Sequence, residues 1–187
     1  MKNQASFNKP YADLVAKLRV PSGFLLVAAF LWFSDPSWES LGWGVPVCLA
    51  GLALRAWAAG HLKKNLQLTT SGPFAYIRNP LYVGTLTVAA GVVIAARRWE
   101  LGVIFAAVFL LVYLPVVELE EQHLAELFPG FGAYKQRVPK LLPRPGRPAT
   151  FIGSTEPFRW SQYMSNREYE AGIGFLVGLA VLVWKAW

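Results

Sequence analysis

Apolar residues fall in five blocks along the chain, Val20 to Phe33, Leu41 to Ala59, Leu81 to Ala96, Leu101 to Val117 and Ala171 to Trp187, separated by short polar connections. A helix that crosses a bilayer needs about 20 apolar residues. Several blocks reach that length only with their flanks, and the flanks carry tryptophans: Trp32, Trp38, Trp43, Trp99, Trp184 and Trp187. An indole is stable where hydrocarbon meets water, so the pattern predicts an all-α, polytopic membrane bundle with about five spanning helices. Pro21 and Gly23 interrupt the first block. Residues Glu118 to Phe128 extend the fourth block as a helix that Pro129 and Gly130 stop. Prolines 139, 143, 145 and 148 predict a stiff, extended connector. The whole chain, residues 1–187, thus reads as one membrane domain, with residues 144–170 as connector and cytoplasmic segment and residues 171–187 as the last spanning helix.

Composition agrees, since 55% of residues are hydrophobic and only 16% charged, against about 25% charged in an ordinary soluble domain. The net charge of +7 does not point to nucleic acid, because the Lys and Arg residues flank apolar blocks and no basic run interleaves with aromatics. Their distribution sets an orientation. With the N-terminus inside, fourteen Lys and Arg fall on the inner face and three (Arg97, Arg98 and Lys185) on the outer, Arg55 being counted to neither; positive charge collects on the cytoplasmic side. Arg97 and Arg98 then cap a hairpin between the third and fourth blocks. The segments 60–80 and 118–170 face the cytoplasm, and a site belongs there. The N-terminal residues are too polar for a cleaved signal and are expected to be retained. The single cysteine, Cys48, lies in an apolar block, so neither an internal disulfide nor a cysteine-based zinc site is expected.

Two polar segments carry the chemistry. The first, Leu68 to Gly84, turns at Gly72-Pro73 and starts the third spanning helix at Pro80, a position where a missing backbone donor costs nothing. Arg78, Asn79 and Tyr82 therefore gather at a helix N-terminus, which favours an anionic group; a basic loop anchored to lipid headgroups reads the same residues. The second segment, from Glu118, brings Glu120, Glu121 and His123 within about one turn just beyond lipid. Such acids suit ribose hydroxyls or an amino group, or they pair with Lys135, Arg137 and Lys140 on a solvated helix. Arg55, inside an apolar block, either snorkels to the interface or lines the passage of a lipid headgroup. His61 reads as an interfacial loop residue.

Together the two segments resemble the isoprenylcysteine carboxyl methyltransferase family and its membrane phospholipid methyltransferase relatives. The first family signature, Leu-Val-Thr-Ser-Gly-x-Tyr-x-x-x-Arg-His-Pro-x-Tyr-x-Gly, is matched at Leu68, Thr70, Ser71, Gly72, Arg78, Pro80, Tyr82 and Gly84 with unchanged spacing. The second is matched at Glu120, Glu121, Leu124, Phe128, Tyr134, Arg137, Val138 and Pro139, with one residue fewer between Phe128 and Tyr134. The resemblance spans about residues 41–143. Three positions depart from it: Asn79 stands for the family histidine, Phe74 for a tyrosine, and Leu66 for a histidine often found there. Asparagine keeps hydrogen bonding and loses proton transfer near neutral pH.

The resemblance implies S-adenosylmethionine in a cytoplasm-facing pocket and a lipophilic acceptor entering from the bilayer. It assigns the cofactor to Leu68, Thr69, Gly72, Asn79, Pro80, Tyr82, Glu120 and Glu121. Methyl transfer from a sulfonium is an in-line displacement that needs alignment and the exclusion of water rather than a metal. A carboxylate acceptor would be oriented by Arg78 and Arg137, with Arg55 and Tyr134 also on the acceptor side; an amine would need to lose a proton. Isoprenylcysteine-like carboxylates, phospholipid amines and small thiols all stay open as acceptors. The alternatives are an NADPH-dependent membrane reductase of the sterol reductase type and a catalytically silent membrane binding protein.

Overall fold

The computed structural model describes residues 9–143 and 156–187. The polar residues 1–8, expected to be retained, and residues 144–148 of the proline connector lie outside them. The elements are α1 (Lys9–Phe33), α2 (Trp38–Ala59), α3 (Pro80–Ala96), α4 (Trp99–Val108), α5 (Leu114–Leu127), α6 (Phe131–Arg137), α7 (Trp160–Ser165) and α8 (Tyr169–Ala186), with a 3-10 turn at Gly72–Ala75. Every element among the described residues is helical. A π turn, Phe109–Tyr113, joins α4 and α5 into one rod.

Among the described residues, three helices are long and apolar enough to cross a membrane: α2, the α4–α5 rod Trp99–Leu127, and α8. Val20–Phe33 within α1, and α3, are apolar but shorter. All five predicted blocks are helices. The outward side chains are apolar, with Phe24, Leu25, Leu111, Leu176 and Val177 all exposed, as expected of surfaces solvated by lipid tails. Trp32, Trp38, Trp43, Trp99, Trp184 and Trp187 are likewise exposed. The 29-residue rod is about 43 Å long at 1.5 Å per residue, against a hydrocarbon core of about 30 Å. Glu118, Glu120 and Glu121 stand in the last third of this rod.

Helix α1 runs unbroken through Pro21, contrary to the interruption expected there. Proline's fixed φ is itself helical, so the costs are the lost backbone bond and the crowding of its ring against the carbonyl four residues earlier. The rod handles Pro115 differently. Proline has no N–H for the carbonyl of Leu111, and the Tyr11 hydroxyl of α1 donates to that oxygen instead, at 2.9 Å.

The closest packing in the bundle is between α2 and α3, and glycine makes it possible. A Cβ on Gly44 would stand 2.5 Å from the Gly91 carbonyl oxygen, and one on Gly51 would stand 2.7 Å from that of Gly84. The two glycines on each helix are seven residues apart, so two backbones meet along one stripe. Helix α8 is fastened at both ends. Lys185 Nζ donates to the carbonyls of Leu31, Trp32 and Ser34 at the end of α1. At the other end Asn166 donates to the carbonyls of Ala59 and Leu62, both at 2.9 Å, and so satisfies the end of α2. Among the described residues, no buried side-chain nitrogen or oxygen lacks a hydrogen-bond partner.

Candidate functional site

The site grows from the start of α3. Pro80 occupies its first turn and is fully buried. Asn79 precedes it but makes no side-chain cap. Its amide is used elsewhere, donating to Glu121 Oε1 at 3.0 Å and to the Lys140 carbonyl at 3.3 Å. Two acceptors require two N–H groups on one atom. Asparagine supplies both, whereas a neutral imidazole carries only one N–H.

Glu121 is the hub. Its side chain is 2% exposed and receives Arg78 Nε at 3.0 Å and Nη2 at 3.2 Å, a forked pair. Lys135 Nζ and Lys140 Nζ lie 3.6 and 4.0 Å away. Arg78 Nη1 donates to the carbonyls of Lys135 and Val138, and the Arg78 and Asn79 amides donate to the carbonyls of Pro139 and Lys140. The Tyr134 hydroxyl donates to the Phe74 carbonyl at 2.8 Å, and burial holds its pKa above the ordinary phenol value. Phe131, Tyr134 and Val138 form a buried cluster against Leu68, Leu124 and Phe128. The two signature segments, 43 residues apart at Arg78 and Glu121, are therefore one clamped unit.

Above this clamp opens a polar pocket of about 480 Å³, within the usual range of ligand sites. Of the residues singled out in the sequence, Leu68, Thr69, Arg78, Asn79, Tyr82, Glu120, Glu121, Tyr134 and Arg55 line it. Glu120 accepts from the Tyr82 hydroxyl at 3.1 Å. Gly72, Pro80 and Arg137 do not line it. Gly72 has φ +57°, and a Cβ there would stand 2.8 Å from the His61 ring, so it is a packing position. Pro80 is buried inside the helix start, and Arg137, at the end of α6, is exposed. Arg78 lines the pocket with four of its N–H bonds already committed to Glu121 and the backbone. His61, in the turn after α2, is buried: its Nδ1 meets the Trp57 carbonyl at 2.9 Å and its ring packs edge-on to Phe158.

A second, apolar cavity of about 360 Å³ lies among the apolar helices, walled by residues such as Phe30, Cys48, Val88, Phe175 and Leu179. Arg55, Thr85 and Tyr113 line both spaces. Arg55 does not snorkel into water; it donates through Nε and Nη2 to the two oxygens of Glu168, at 2.6 and 3.1 Å, and through Nη1 to Thr85 Oγ1. Gly84 makes room for it, since a Cβ there would stand 2.5 Å from Arg55 Cγ. Tyr113 ends the π turn, a feature frequent at functional sites, and Gly23 of α1 admits its hydroxyl. Glu168, Thr85 and Tyr113 were not singled out in the sequence. An acid just before the last apolar block, the natural counterion for a charge inside another block, was the available signal for Glu168.

Comparison with known proteins comes to the same region of the chain. A family model described as phospholipid methyltransferase matches residues 19–130. The cobalt-zinc-cadmium resistance protein CzcN of Cupriavidus metallidurans is 34% identical over 128 residues, covering 63% of this chain and 59% of that protein. The nickel-cobalt-cadmium resistance protein NccN of Alcaligenes xylosoxydans xylosoxydans is 33% identical over 103 residues, covering 54% of this chain and 47% of that protein. The chain thus spans about half the length of the curated relatives it matches. No solved structure matches it.

Proposed function

The chain belongs to the phospholipid methyltransferase family, and from that premise we propose that it is an integral membrane methyltransferase using S-adenosylmethionine, with a lipophilic acceptor held in the bilayer. The observation that supports this most is the pair of adjoining spaces, one polar and one apolar, that share Arg55, Thr85 and Tyr113. A charged donor and a lipid acceptor have opposite solubilities, and a transfer between them needs such a boundary.

The polar pocket suits the donor chemically. Leu68, Phe74, Leu124 and Phe131 offer apolar surface for a base, Glu120 offers a carboxylate for ribose hydroxyls, and Thr69, Asn79 and Tyr82 offer hydrogen bonds. S-adenosylmethionine, when bound, supplies a methyl carbon on a positive sulfonium. The chain's own task is to align and to exclude water. In this reading Glu120 contacts the donor, while Glu121 and Arg78 are positioning residues that fix the loop carrying Asn79 and Tyr82. Arg78 was expected to hold the acceptor; with its guanidinium engaged below the pocket, we give that role to Arg55. Arg137, exposed beyond the pocket, has no acceptor role in the proposal. Gly72 and Pro80 act through backbone geometry rather than by contact. We read the polar pocket as facing the cytoplasm, a reading supported by the asymmetry of Lys and Arg.

The test is direct. Purified protein in lipid is incubated with S-adenosylmethionine labelled in its methyl group and a total membrane lipid extract. Label in the organic phase, abolished by excess S-adenosylhomocysteine, is the expected result. Label that stays wholly in water with every lipid class tried contradicts the proposal.

A further inference from the structure

Among the described residues, Arg55 is the single charged side chain lining the apolar cavity. A guanidinium left without a partner inside an apolar span is costly. Glu168 relieves that cost with both carboxylate oxygens, and the pair is mostly withdrawn from solvent, at 23% exposure for Arg55 and 10% for Glu168. Glu168 reaches it from 113 residues away, beyond the segment 19–130 that matches the family. The residue before it, Arg167, has φ +54°, a left-handed conformation that is strained for a residue with a Cβ. The chain holds this strain where it turns from α7 into α8 and delivers the carboxylate to Arg55.

The two partners differ in what they border. Glu168 lines the polar pocket only, and Arg55 lines both spaces. An acceptor whose hydrocarbon lies in the apolar cavity meets Arg55 as its first charge, and that charge is already taken. We propose that Glu168 is an internal competitor for the acceptor: a carboxylate of the chain itself that occupies Arg55 until the anionic head of a long-chain amphiphile replaces it. This rests on the reading of the apolar cavity as the acceptor site. A carboxylate or thiolate head exchanges one charge-assisted contact for another. Released Glu168 remains in a pocket also lined by Lys63 and Lys64. An ammonium head approaches Arg55 against its charge and gains nothing from the exchange. Arg55 with Glu168 thus selects for acceptors that are negative at the end of one apolar chain.

Binding of radiolabelled palmitate and of hexadecyltrimethylammonium to the full chain in lipid nanodiscs tests this without any turnover. The wild type is expected to bind palmitate at least tenfold more tightly than the cation, and Arg55→Gln is expected to erase the preference. Glu168→Gln is expected to tighten palmitate by at least threefold, because the competitor loses its charge, and not to tighten the cation, which then meets an uncompensated Arg55. A folded Glu168→Gln protein with equal or weaker palmitate affinity overturns the proposal. Should that variant aggregate, the wild-type ratio decides, and equal affinity for the two amphiphiles overturns it as well. S-adenosylhomocysteine binding, measured on the same samples, separates the two readings: its absence defeats the donor assignment and leaves the palmitate result to judge Glu168.

Discussion

Two forked arginine–glutamate pairs, Arg78 with Glu121 and Arg55 with Glu168, do different work. Arg78 and Glu121 are 8% and 2% exposed, and every remaining contact of the guanidinium but one N–H is spent on backbone carbonyls. Arg55 and Glu168 are more open, at 23% and 10%, and while both pairs line the polar pocket, Arg55 alone of the four also borders the apolar cavity. The first pair is enclosed by the segments it joins, so opening it means unfolding the clamp. The second joins a spanning helix to the turn before α8, and a ligand can reach it. The same chemical pair becomes a rivet or a latch according to what surrounds it.

The largest effect separating them is expected at the rivet. Glu121→Gln leaves Arg78 without its counterion, with Lys135 and Lys140 also close. Removing one partner of a buried pair costs about 3–5 kcal/mol. Thermal unfolding in detergent should show a large loss of stability together with loss of S-adenosylhomocysteine binding. A protein as stable as the wild type would show that Glu121 is a surface-like acid after all.

The next effect belongs to the latch. Gly84→Ala places a Cβ 2.5 Å from Arg55 Cγ and 2.8 Å from the Gly51 carbonyl oxygen, so Arg55 and the α2–α3 contact must shift. Methyl transfer is expected to fall at least tenfold, about 1.4 kcal/mol, with S-adenosylhomocysteine affinity kept within about threefold. Equal losses in both would mean that the two pairs are not independent.

The smallest is Asn79→His, which restores the residue expected from the family signature. A neutral imidazole has one N–H, so either Glu121 or the Lys140 carbonyl loses its donor. A loss of about 1 kcal/mol in stability is expected, measured as a shift in unfolding midpoint. A gain in stability would show that the asparagine amide is not serving both acceptors.

The rivet was more legible in the sequence than the latch, for a physical reason. Arg78, Asn79, Glu120 and Glu121 stand in two short segments of fixed spacing beside helix starts and ends, where local rules speak. Even there the roles were blurred: Glu121 was read as a donor contact, and only its burial and its three cationic neighbours reveal a hub. Gly72 and Pro80 looked like contacts because they belong to the signature, yet their value lies in a positive φ against His61 and a helix start. The latch depends on side chains brought together from α2, α3 and the turn before α8. Thr85 and Glu168 look like ordinary polar residues until Gly44, Gly51, Gly84 and Gly91 draw α2 against α3. The five apolar blocks were plain because lipid demands an apolar surface whatever the tertiary contacts. The continuity of α1 through Pro21 was not, since one proline leaves the outcome to the packing around it.

The central claim is that the polar pocket above the rivet takes S-adenosylmethionine, and calorimetric titration of the purified protein with S-adenosylhomocysteine, beside a parallel titration with NADPH, tests it most directly. The account predicts saturable binding of S-adenosylhomocysteine, no binding of NADPH, and an affinity at least tenfold weaker in Glu120→Gln, about 1.4 kcal/mol. Binding of NADPH in place of S-adenosylhomocysteine, or a Glu120→Gln protein with wild-type affinity, would contradict it.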